Sequence, residues 1–504
     1  MRFNGGSRMN KARQETTRER GTENATRRQF LRYTAATIGG AGPLALTTPL
    51  LAAAKKPPRP NIVLIISDDH GWRDARCCGN SDTRTPHLDR LANEGMRFSH
   101  AFAASTLCSP SRAVIDTGLM PFRNGGHVFG GHVRPNTRTI AHYFRDLGYQ
   151  TANIGKFSKH PTKAFPYEVV HKRWSPERHD AGLIDLVDRF LKTRDTDRPL
   201  FLEVNTADTH QPWLKNENYD TAALTIPPHL LDTGETRDAL AEYYTSVETL
   251  DANIGKLLST LRTNGCRDNT LVLYTSDHGP NFAFAKWCLY DEGIRVPFIA
   301  SWPSVIKPNT TTDAMISLAD VVPTLIEAAG AEAPRDIDGR SFLDVLTGGK
   351  TQHRTTVFAS HTGNHRRYPA WKANWSPARA VRTRTHKYIL NLNPTYEFIC
   401  HITGCKPDRQ PEAYHPYWDS WVQRARTDEH AQTRVNQFRH RPQHELYDLT
   451  KDPFEKNNIA QRPENARLLK SLQTRLSRWR AKQGDNVPVY LDRKYIAPNG
   501  GSDR

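Results

Sequence analysis

The chain has 504 residues, 37% of them hydrophobic, and ten Trp, which is typical of a globular protein with one large α/β domain and a smaller one. It contains no run of 18 apolar residues, which excludes a transmembrane span. The net charge of +17 favours anionic partners. Because no nucleic-acid-binding motif accompanies this charge, the sequence predicts a small anionic substrate or a glycan, and no nucleic acid.

The first 54 residues have the order of a targeting segment. They hold nine basic and three acidic side chains, so the rest of the chain keeps +11 of the net charge of +17. Thr26–Leu31 contains an Arg pair, a weakly apolar stretch covers residues 33–51, and three Ala follow. This order resembles a bacterial twin-arginine signal and predicts an exported protein, periplasmic or extracellular. The alternative is a disordered basic tail with a chance Arg pair.

The first predicted strand is the continuous apolar run at residues 61–66, a pattern typical of a strand buried on both faces of a parallel sheet. Asp68 and Asp69 follow it directly, at the strand end where open α/β sheets bind ligands. Two adjacent carboxylates repel each other, so a cation is expected between them. Oxygen ligands suit a hard divalent cation such as calcium or magnesium, although solvated strand-end acids are the commoner alternative.

A Cys-x-Pro-x-Arg segment follows, in which Pro110 places Cys108 just before a predicted helix. Backbone amides at a helix start favour negative charge, and Arg112 lies one turn further along. The alternative is a buried Cys beside a surface Arg. A thiol phosphatase loop has five residues between Cys and Arg, whereas this segment has three. The chain has seven Cys, an odd number that leaves at least one unpaired, and Cys400 and Cys405 are close enough for a local disulfide.

Helical and strand patterns then alternate along the chain. Helices are predicted at residues 85–95, 110–118, 140–148 and 240–261, and strands at 200–204 and 271–274. The last of these strands also ends in polar residues, Asp277 and His278, which form either a second half of an ion site or a turn. This alternation predicts a parallel sheet with helices on both faces, in a domain spanning residues 55–360.

Beyond residue 360 the pattern changes to short strands with charged neighbours, at residues 380–392 and 445–447, and an amphipathic helix at 466–483. We interpret residues 361–504 as a smaller α+β domain. His361, His365, Arg366 and Arg367 either line a substrate pocket or form a basic surface.

Together these segments resemble the sulfatases of the alkaline-phosphatase-like superfamily, over roughly residues 60–490. Four segments recur in the family's order: Asn61–Asp69, Cys108–Gly118, Gly155–Lys156 and Ser276–Gly279. A narrower resemblance, to the heparan N-sulfatases (sulfamidases, or N-sulfoglucosamine sulfohydrolases), is carried by Leu107–Ala113, Val357–His361, His386–Asn393 and Glu445–Asp448. The resemblance implies a large parallel or mixed sheet flanked by helices and a smaller C-terminal domain with an antiparallel sheet.

The resemblance also implies a metal site and a modified side chain. A separate maturase would oxidise Cys108 to formylglycine. The modified Cys108 would bind a divalent cation, most simply calcium, with Asp68, Asp69, Asp277 and His278. The family more often has Asn in place of His278, and nitrogen suits calcium less well, so this ligand departs from the family pattern.

The remaining implied roles concern the sulfuryl group. Lys156 and Lys286 match cations that contact sulfate, and His210 matches the family's His near the leaving group. Ser158 stands where the family has another His, with His160 as the alternative. In the family chemistry, a hydroxyl of hydrated formylglycine attacks sulfur while the metal, Arg112 and both lysines neutralise charge and His210 donates a proton. The second hydroxyl then expels sulfate and restores the aldehyde.

The sequence thus predicts a sulfatase acting on a sulfated sugar, with N-sulfated heparan-type glycans favoured. The alternatives are an O-sulfatase, a phosphonate or phosphodiester hydrolase with the same motif, and a catalytically silent glycan-binding protein that retains the Cys108 thiol.

Overall fold

Two β-sheets organise the part of the chain that the computed structural model describes, residues 59–172, 182–216, 218–363, 376–400, 402–403 and 415–491. The larger sheet contains β1 Asn61–Ser67, β2 Met96–Phe102, β3 Gln150–Gly155, β4 Val169–Lys172, β5 Leu200–Asn205, β6 Thr270–Ser276, β7 Arg295–Ser301, β8 Thr310–Thr312 and β9 Ile316–Ser317. Its strand order is β4-β3-β5-β1-β6-β7-β2-β8, and β9 pairs with β2.

Strand β1 lies at the centre of this sheet, parallel to β5 on one side and β6 on the other. Its side chains alternate between two separate hydrophobic clusters: Ile62 and Leu64 belong to one, and Val63 and Ile65 to the other. A strand buried on both faces must be apolar at every position, which explains the continuous run in the sequence. The predicted strand is confirmed.

Strand β7 makes the sheet mixed, since it pairs antiparallel with both β6 and β2. The four strands β3, β5, β1 and β6 remain parallel, so their carboxyl ends meet at one edge. The mixed sheet flanked by helices is the architecture that the family resemblance implies.

The helices flank the sheets. They are α1 Pro86–Asn93, α2 Cys108–Thr117, α3 Pro121–Asn124, α4 Ile140–Asp146, α5 Leu183–Thr193, α6 Gly234–Thr263, α7 Asp291–Ile294, α8 Val321–Ala328, α9 Leu343–Leu346, α10 Pro416–Arg424, α11 Glu429–Arg439 and α12 Ala466–Gln483. The predicted helices correspond to α1, α2, α4, α6 and α12. One detail differs: Cys108 is itself the first residue of α2, with Leu107 as the N-cap.

The smaller sheet is antiparallel, in the order β10 Thr356–His361, β11 Ala378–Thr383, β12 His386–Asn391 and β13 His444–Asp448. Helix α12 packs on it, and Trp479 stacks on Phe358 with ring centroids 5.0 Å apart. The backbone amide of Ser360 donates a hydrogen bond to Ala104 O, just before α2, at 2.9 Å. This contact ties the smaller sheet to the loop that leads into Cys108.

Several predictions concern residues that the structure does not describe. The export segment 1–54, Cys405, and the group His365, Arg366 and Arg367 lie outside the described residues. The domain boundary at residue 360 likewise stays a prediction. None of the described helices has the length and apolar character needed to cross a membrane.

Candidate active site

The carboxyl ends of the parallel strands bring the predicted site residues to one edge of the large sheet. Asp68 and Asp69 follow β1, Asp277 and His278 follow β6, and Lys156 follows β3. Helix α2 begins beside them at Cys108. Segments more than 200 residues apart in sequence are therefore joined by the strand register, in which Ser67 pairs with Ser276.

Four of these side chains form one tight buried group. The ligand atoms of Asp68, Cys108, Asp277 and His278 all lie within 4.8 Å of one another. Each of the four residues is at most 3% exposed, so water does not solvate their charges. A buried group that contains two carboxylates needs a positive partner to be stable.

The unused polar atoms of this group fit a cation. Neither Asp68 Oδ1 nor His278 Nε2 has a hydrogen-bond partner among the described residues, although both atoms are buried. His278 Nδ1 lies 2.9 Å from Gly279 O, which fixes the proton on Nδ1 and leaves the Nε2 lone pair available. The donor set of two carboxylates and an imidazole nitrogen therefore fits a divalent metal ion.

Asp69, also expected to be a ligand, lies outside the group of four. Its carboxylate contacts Lys286 Nζ at 2.6 and 2.9 Å. Burial, the largest single influence, opposes ionisation, but Lys286, His210 and His278 together outweigh it and hold the pKa of Asp69 below its usual range. Its backbone adopts φ 64°, and its amide lies 3.2 Å from Asp277 Oδ1. Lys286 is thereby placed at the site, as the resemblance implied.

Arg112 is the cation that the site acids share. It is fully buried, its Nε donates to Asp277 Oδ2 at 3.0 Å, and its Nη2 lies 3.5 Å from Asp68 Oδ1. Nη1 donates to Asn205 Oδ1, and Nη2 also donates to Ser67 O at 3.3 Å. This guanidinium is held by partners on three sides and cannot reorient when an anion arrives.

Lys156 lies between the acids and the cysteine. Its Nζ contacts Asp68 Oδ2 and lies 4.0 Å from Cys108 Sγ. Burial, together with the Asp68 carboxylate, raises the pKa of the Cys108 thiol above its ordinary value. An unmodified Cys108 would stay protonated at neutral pH, and a protonated thiol is a poor nucleophile.

The position of Lys156 depends on the glycine before it. Gly155 has φ 108°, a conformation that favours glycine, and a Cβ built there would lie 2.0 Å from Asn205 O. Only glycine allows β3 and β5 to approach this closely just before the lysine.

His210 lies at the partly exposed edge of the site. Its Nδ1 lies 2.6 Å from Gln211 O, so the ring proton is held on Nδ1. Burial and the nearby Lys156 and Lys286 lower the pKa of His210, while the site acids Asp68 and Asp69 act in the opposite direction. These interactions place the ring within electrostatic reach of both lysines and both acids, as its predicted role requires.

The segment after Lys156 contains a network that sequence reasoning missed. Lys159 is 2% exposed, and its Nζ lies 2.7 Å from Asp116 and 2.5 Å from Glu203. Glu203 also accepts a hydrogen bond from Asn205 at 2.9 Å, and Asn205 in turn binds Arg112. The network therefore ends on the Arg112 guanidinium. The available signal was Glu203, a charged residue inside an apolar strand.

Ser158 and its proposed substitute lie in the same segment. The ring of His160 lies 6.1 Å from that of His132, and His160 O accepts a hydrogen bond from Val133. Both Ser158 and His160 are partly exposed.

His361, predicted to line a pocket or a basic surface, is buried at the end of β10. It is 1% exposed, and its ring packs edge-on against Trp287 with centroids 6.0 Å apart. Trp287 follows Lys286 in sequence, so His361 contacts the segment that carries Lys286, and it is not part of an exposed basic surface.

Comparisons with known proteins agree with this geometry. Residues 60–331 match the family described as sulfatase, and residues 279–401 match the family described as N-sulphoglucosamine sulphohydrolase, C-terminal.

Two curated relatives illustrate the range of similarity. An ulvan-active sulfatase of Formosa agariphila is 29% identical over 436 residues, 85% of this chain and 81% of the relative. The human N-sulphoglucosamine sulphohydrolase is 28% identical over 485 residues, 86% of this chain and 92% of the relative.

Solved structures share the fold. One, in complex with its substrate D-glucosamine-2-N,6-O-disulfate, has a TM-score of 0.64 and 22% identity, covering 86% of this chain and 100% of the other. A phosphonate monoester hydrolase of Agrobacterium radiobacter has a TM-score of 0.62 and 18% identity, covering 87% and 99%.

Proposed function

Because the chain belongs to the sulfatase family and is a hydrolase of sulfuric esters or sulfamates, we propose that it removes N-linked sulfate from glucosamine units of heparan-type glycans. Two observations support this choice of substrate. The family model for the C-terminal part of N-sulphoglucosamine sulphohydrolase matches residues 279–401, and the human enzyme of that name aligns over 86% of the chain. The basic composition favours a polyanionic substrate.

The proposed metal is a divalent cation, assigned as calcium, held by Asp68, Asp277 and His278 together with the side chain at position 108. Asp69 would join them if its carboxylate exchanged Lys286 for the ion. When bound, such a cation supplies positive charge that acidifies an oxygen nucleophile and stabilises sulfuryl oxygens. Asp68 Oδ1 and His278 Nε2, which are buried and have no hydrogen-bond partner among the described residues, support this assignment.

The proposed nucleophile is a formylglycine made from Cys108 by a separate maturase. The observation that carries this proposal is the Cys-x-Pro-x-Arg segment, which places a buried Cys108 at the start of α2, 4.0 Å from Lys156 Nζ. Hydrated formylglycine supplies a hydroxyl that attacks sulfur.

The other residues act on charge and protons. Arg112 keeps a fixed orientation because Asp277 and Asn205 hold it, so its charge is preorganised toward the sulfuryl oxygens. Lys156 contacts the Asp68 carboxylate, and Lys286 contacts the Asp69 carboxylate. Both ammonium groups add positive charge to the site. His210 would donate the proton that the leaving nitrogen needs. Because Gln211 O holds one ring proton on Nδ1, the donated proton must come from Nε2 of the doubly protonated ring.

The test measures sulfate release from N-sulfoglucosamine, 6-O-sulfated N-acetylglucosamine, an aryl sulfate and a phosphonate monoester, with and without added calcium. We expect release from the N-sulfated sugar to exceed the others and to disappear in Cys108→Ala. Preference for O-sulfates would instead favour an O-sulfatase. Preference for the phosphonate would place the chain with the phosphonate hydrolases.

A second measurement tests the modification directly. Mass spectrometry of the peptide containing Cys108 should show the lower mass of an aldehyde in active enzyme. Full activity with an intact thiol would contradict the proposed nucleophile.

We also propose that residues 1–54 direct export through a twin-arginine pathway. Replacing Arg27 and Arg28 by Lys should retain the protein in the cytoplasmic fraction, whereas unchanged fractionation would contradict the proposal.

A further inference from the structure

Helix α12 carries an unusual concentration of positive charge. Its 18 residues include six Lys or Arg and no acidic residue. Five of the six are exposed: Arg467, Lys470, Arg475, Arg478 and Lys482. The sixth, Arg480, is ion-paired with Asp485 at 2.8 Å. Among the described residues, none of the five exposed cations lies within ion-pair distance of a carboxylate.

The five exposed cations lie on one side of the helix. At 100° per residue they occupy a sector of about 140°, and at 1.5 Å per residue they extend over about 22 Å. The opposite side is apolar, and its Leu472, Leu476 and Trp479 are buried. We call the five residues the α12 cationic face.

Much of this charge does not stabilise the helix itself, although Lys482, in the last turn, suits the helix dipole. Like charges three or four residues apart, such as Arg475 and Arg478 or Arg478 and Lys482, repel each other. Arg467 and Lys470 lie near the N-terminus, where the helix dipole disfavours cations. Packing of the apolar side holds the helix in place. Arg475 Nη1 also donates a 3.4 Å hydrogen bond to Thr356 Oγ1, but no carboxylate of the described residues neutralises the charge of the five cations.

The apolar side of α12 also fixes the α12 cationic face relative to the active site. Leu472, Leu476 and Trp479 share one hydrophobic cluster with Val114, a residue of the helix α2 that carries Cys108 and Arg112. The same cluster includes Ala104, in the loop that leads to Cys108. A ligand held on α12 is therefore held on the block of structure that contains the catalytic helix.

We propose that the α12 cationic face is an exosite for a linear sulfated polysaccharide, a proposal that rests on the proposed function and extends it from one sugar to the polymer. A cationic face about 22 Å long matches an extended chain that carries repeated anionic groups. Binding the polymer there raises its effective concentration at the active site and contacts no reacting atom.

The geometry favours this partner over two other polyanions. A membrane-surface helix inserts its apolar side into the bilayer, but that side of α12 is buried against the smaller sheet. Single-stranded nucleic acid binds through exposed aromatic rings, and Trp479, the aromatic residue of α12, is buried.

The experiment compares two variants with the same loss of charge. The first is R467Q/K470Q/R475Q/R478Q/K482Q. The matched control, R189Q/K256Q/R262Q/K307Q/R340Q, removes three Arg and two Lys that are exposed elsewhere. Binding to heparin is measured at about 0.15 M salt in a Cys108→Ala background, so that it does not depend on turnover. We expect the α12 variant to bind heparin at least tenfold more weakly than the control, and to elute from a heparin column at lower salt.

Kinetics provide the second measurement, with Cys108 intact. KM for a heparin-type polymer should rise at least fivefold in the α12 variant, while kcat and KM for a monosaccharide substrate stay unchanged. Heparin affinity within twofold of the control would overturn the proposal, as would equal losses for duplex DNA or for vesicles of phosphatidylserine. If neither variant releases sulfate from any sugar, the proposed function fails, and the heparin measurement still decides the exosite.

Discussion

Replacing Lys159 by Met tests how strongly the buried network behind Arg112 depends on its one ammonium. Lys159 Nζ lies 2.7 Å from Asp116 and 2.5 Å from Glu203, and all three side chains are at most 1% exposed. Met keeps most of the apolar stem but removes the charge, which leaves two carboxylates facing each other without water. Breaking a buried ion pair on one side costs about 3–5 kcal/mol, and we expect a loss of free energy of unfolding in that range at pH 7.5.

The pH dependence of this loss distinguishes charge from packing. In the native chain, burial and the nearby Glu203 raise the pKa of Asp116 to about 7, whereas Lys159 acts to lower it. Without the lysine, the folded state should hold a proton between the two carboxylates up to higher pH. The loss of free energy of unfolding is then greatest above the raised pKa of the variant. It shrinks as the pH falls, so it should be smaller at pH 5.5 than at pH 7.5.

The assay is equilibrium urea unfolding followed by Trp fluorescence at both pH values. Lys192→Met provides the control, since Lys192 pairs with Asp188 on the surface and its loss should cause no measurable change. A loss below about 1 kcal/mol for Lys159→Met at pH 7.5, or an equal loss at both pH values, would refute the electrostatic account.

Two further predictions test the approach of β3 to β5 and a buried acid. Gly155→Ala should reduce sulfate release at least tenfold, because its Cβ would lie 2.0 Å from Asn205 O. The control Gly265→Ala, whose Cβ would have no atom within 4 Å, should keep full activity. Equal activities of the two variants would contradict this prediction. Burial raises the pKa of Glu292 to about 7, so the native chain should lose up to about 3 kcal/mol of stability as pH rises from 4.5 to 7. Thermal unfolding of Glu292→Gln should lack this pH dependence, which the exposed-site control Glu332→Gln should retain.

The sequence predicted those features that local pattern encodes. The apolar run of β1 and the polar residues at its end identified a buried strand with ligands at its carboxyl end, because residues 61–69 carry both signals in one stretch. The caps and apolar spacing likewise placed α1 and α12 close to their observed bounds, whereas α6 begins at Gly234, well before its predicted start at residue 240.

Features that depend on pairing between distant segments were missed. The antiparallel direction of β7 leaves no mark in its own sequence, because an apolar strand reads the same either way. The link from Lys159 to Arg112 passes through Glu203 and Asn205. Its first step joins Lys159 to Glu203, 44 positions apart, and its last step joins Asn205 to Arg112, 93 positions apart. No spacing rule predicts that polar residues within an apolar strand will meet a lysine from another loop.

Because α2 is tightly enclosed in the folded protein, an enzyme can reach its side chains only before folding is complete. All ten residues of the helix are buried, and Cys108 is 3% exposed. An enzyme that oxidises this thiol must grip the surrounding peptide, so it has to arrive while the chain is still open. Under the proposed modification, the yield of formylglycine would be set by competition between oxidation and folding. We would then expect slower folding, or more of the oxidising enzyme during synthesis, to raise the modified fraction, and treatment of the folded protein to leave it unchanged.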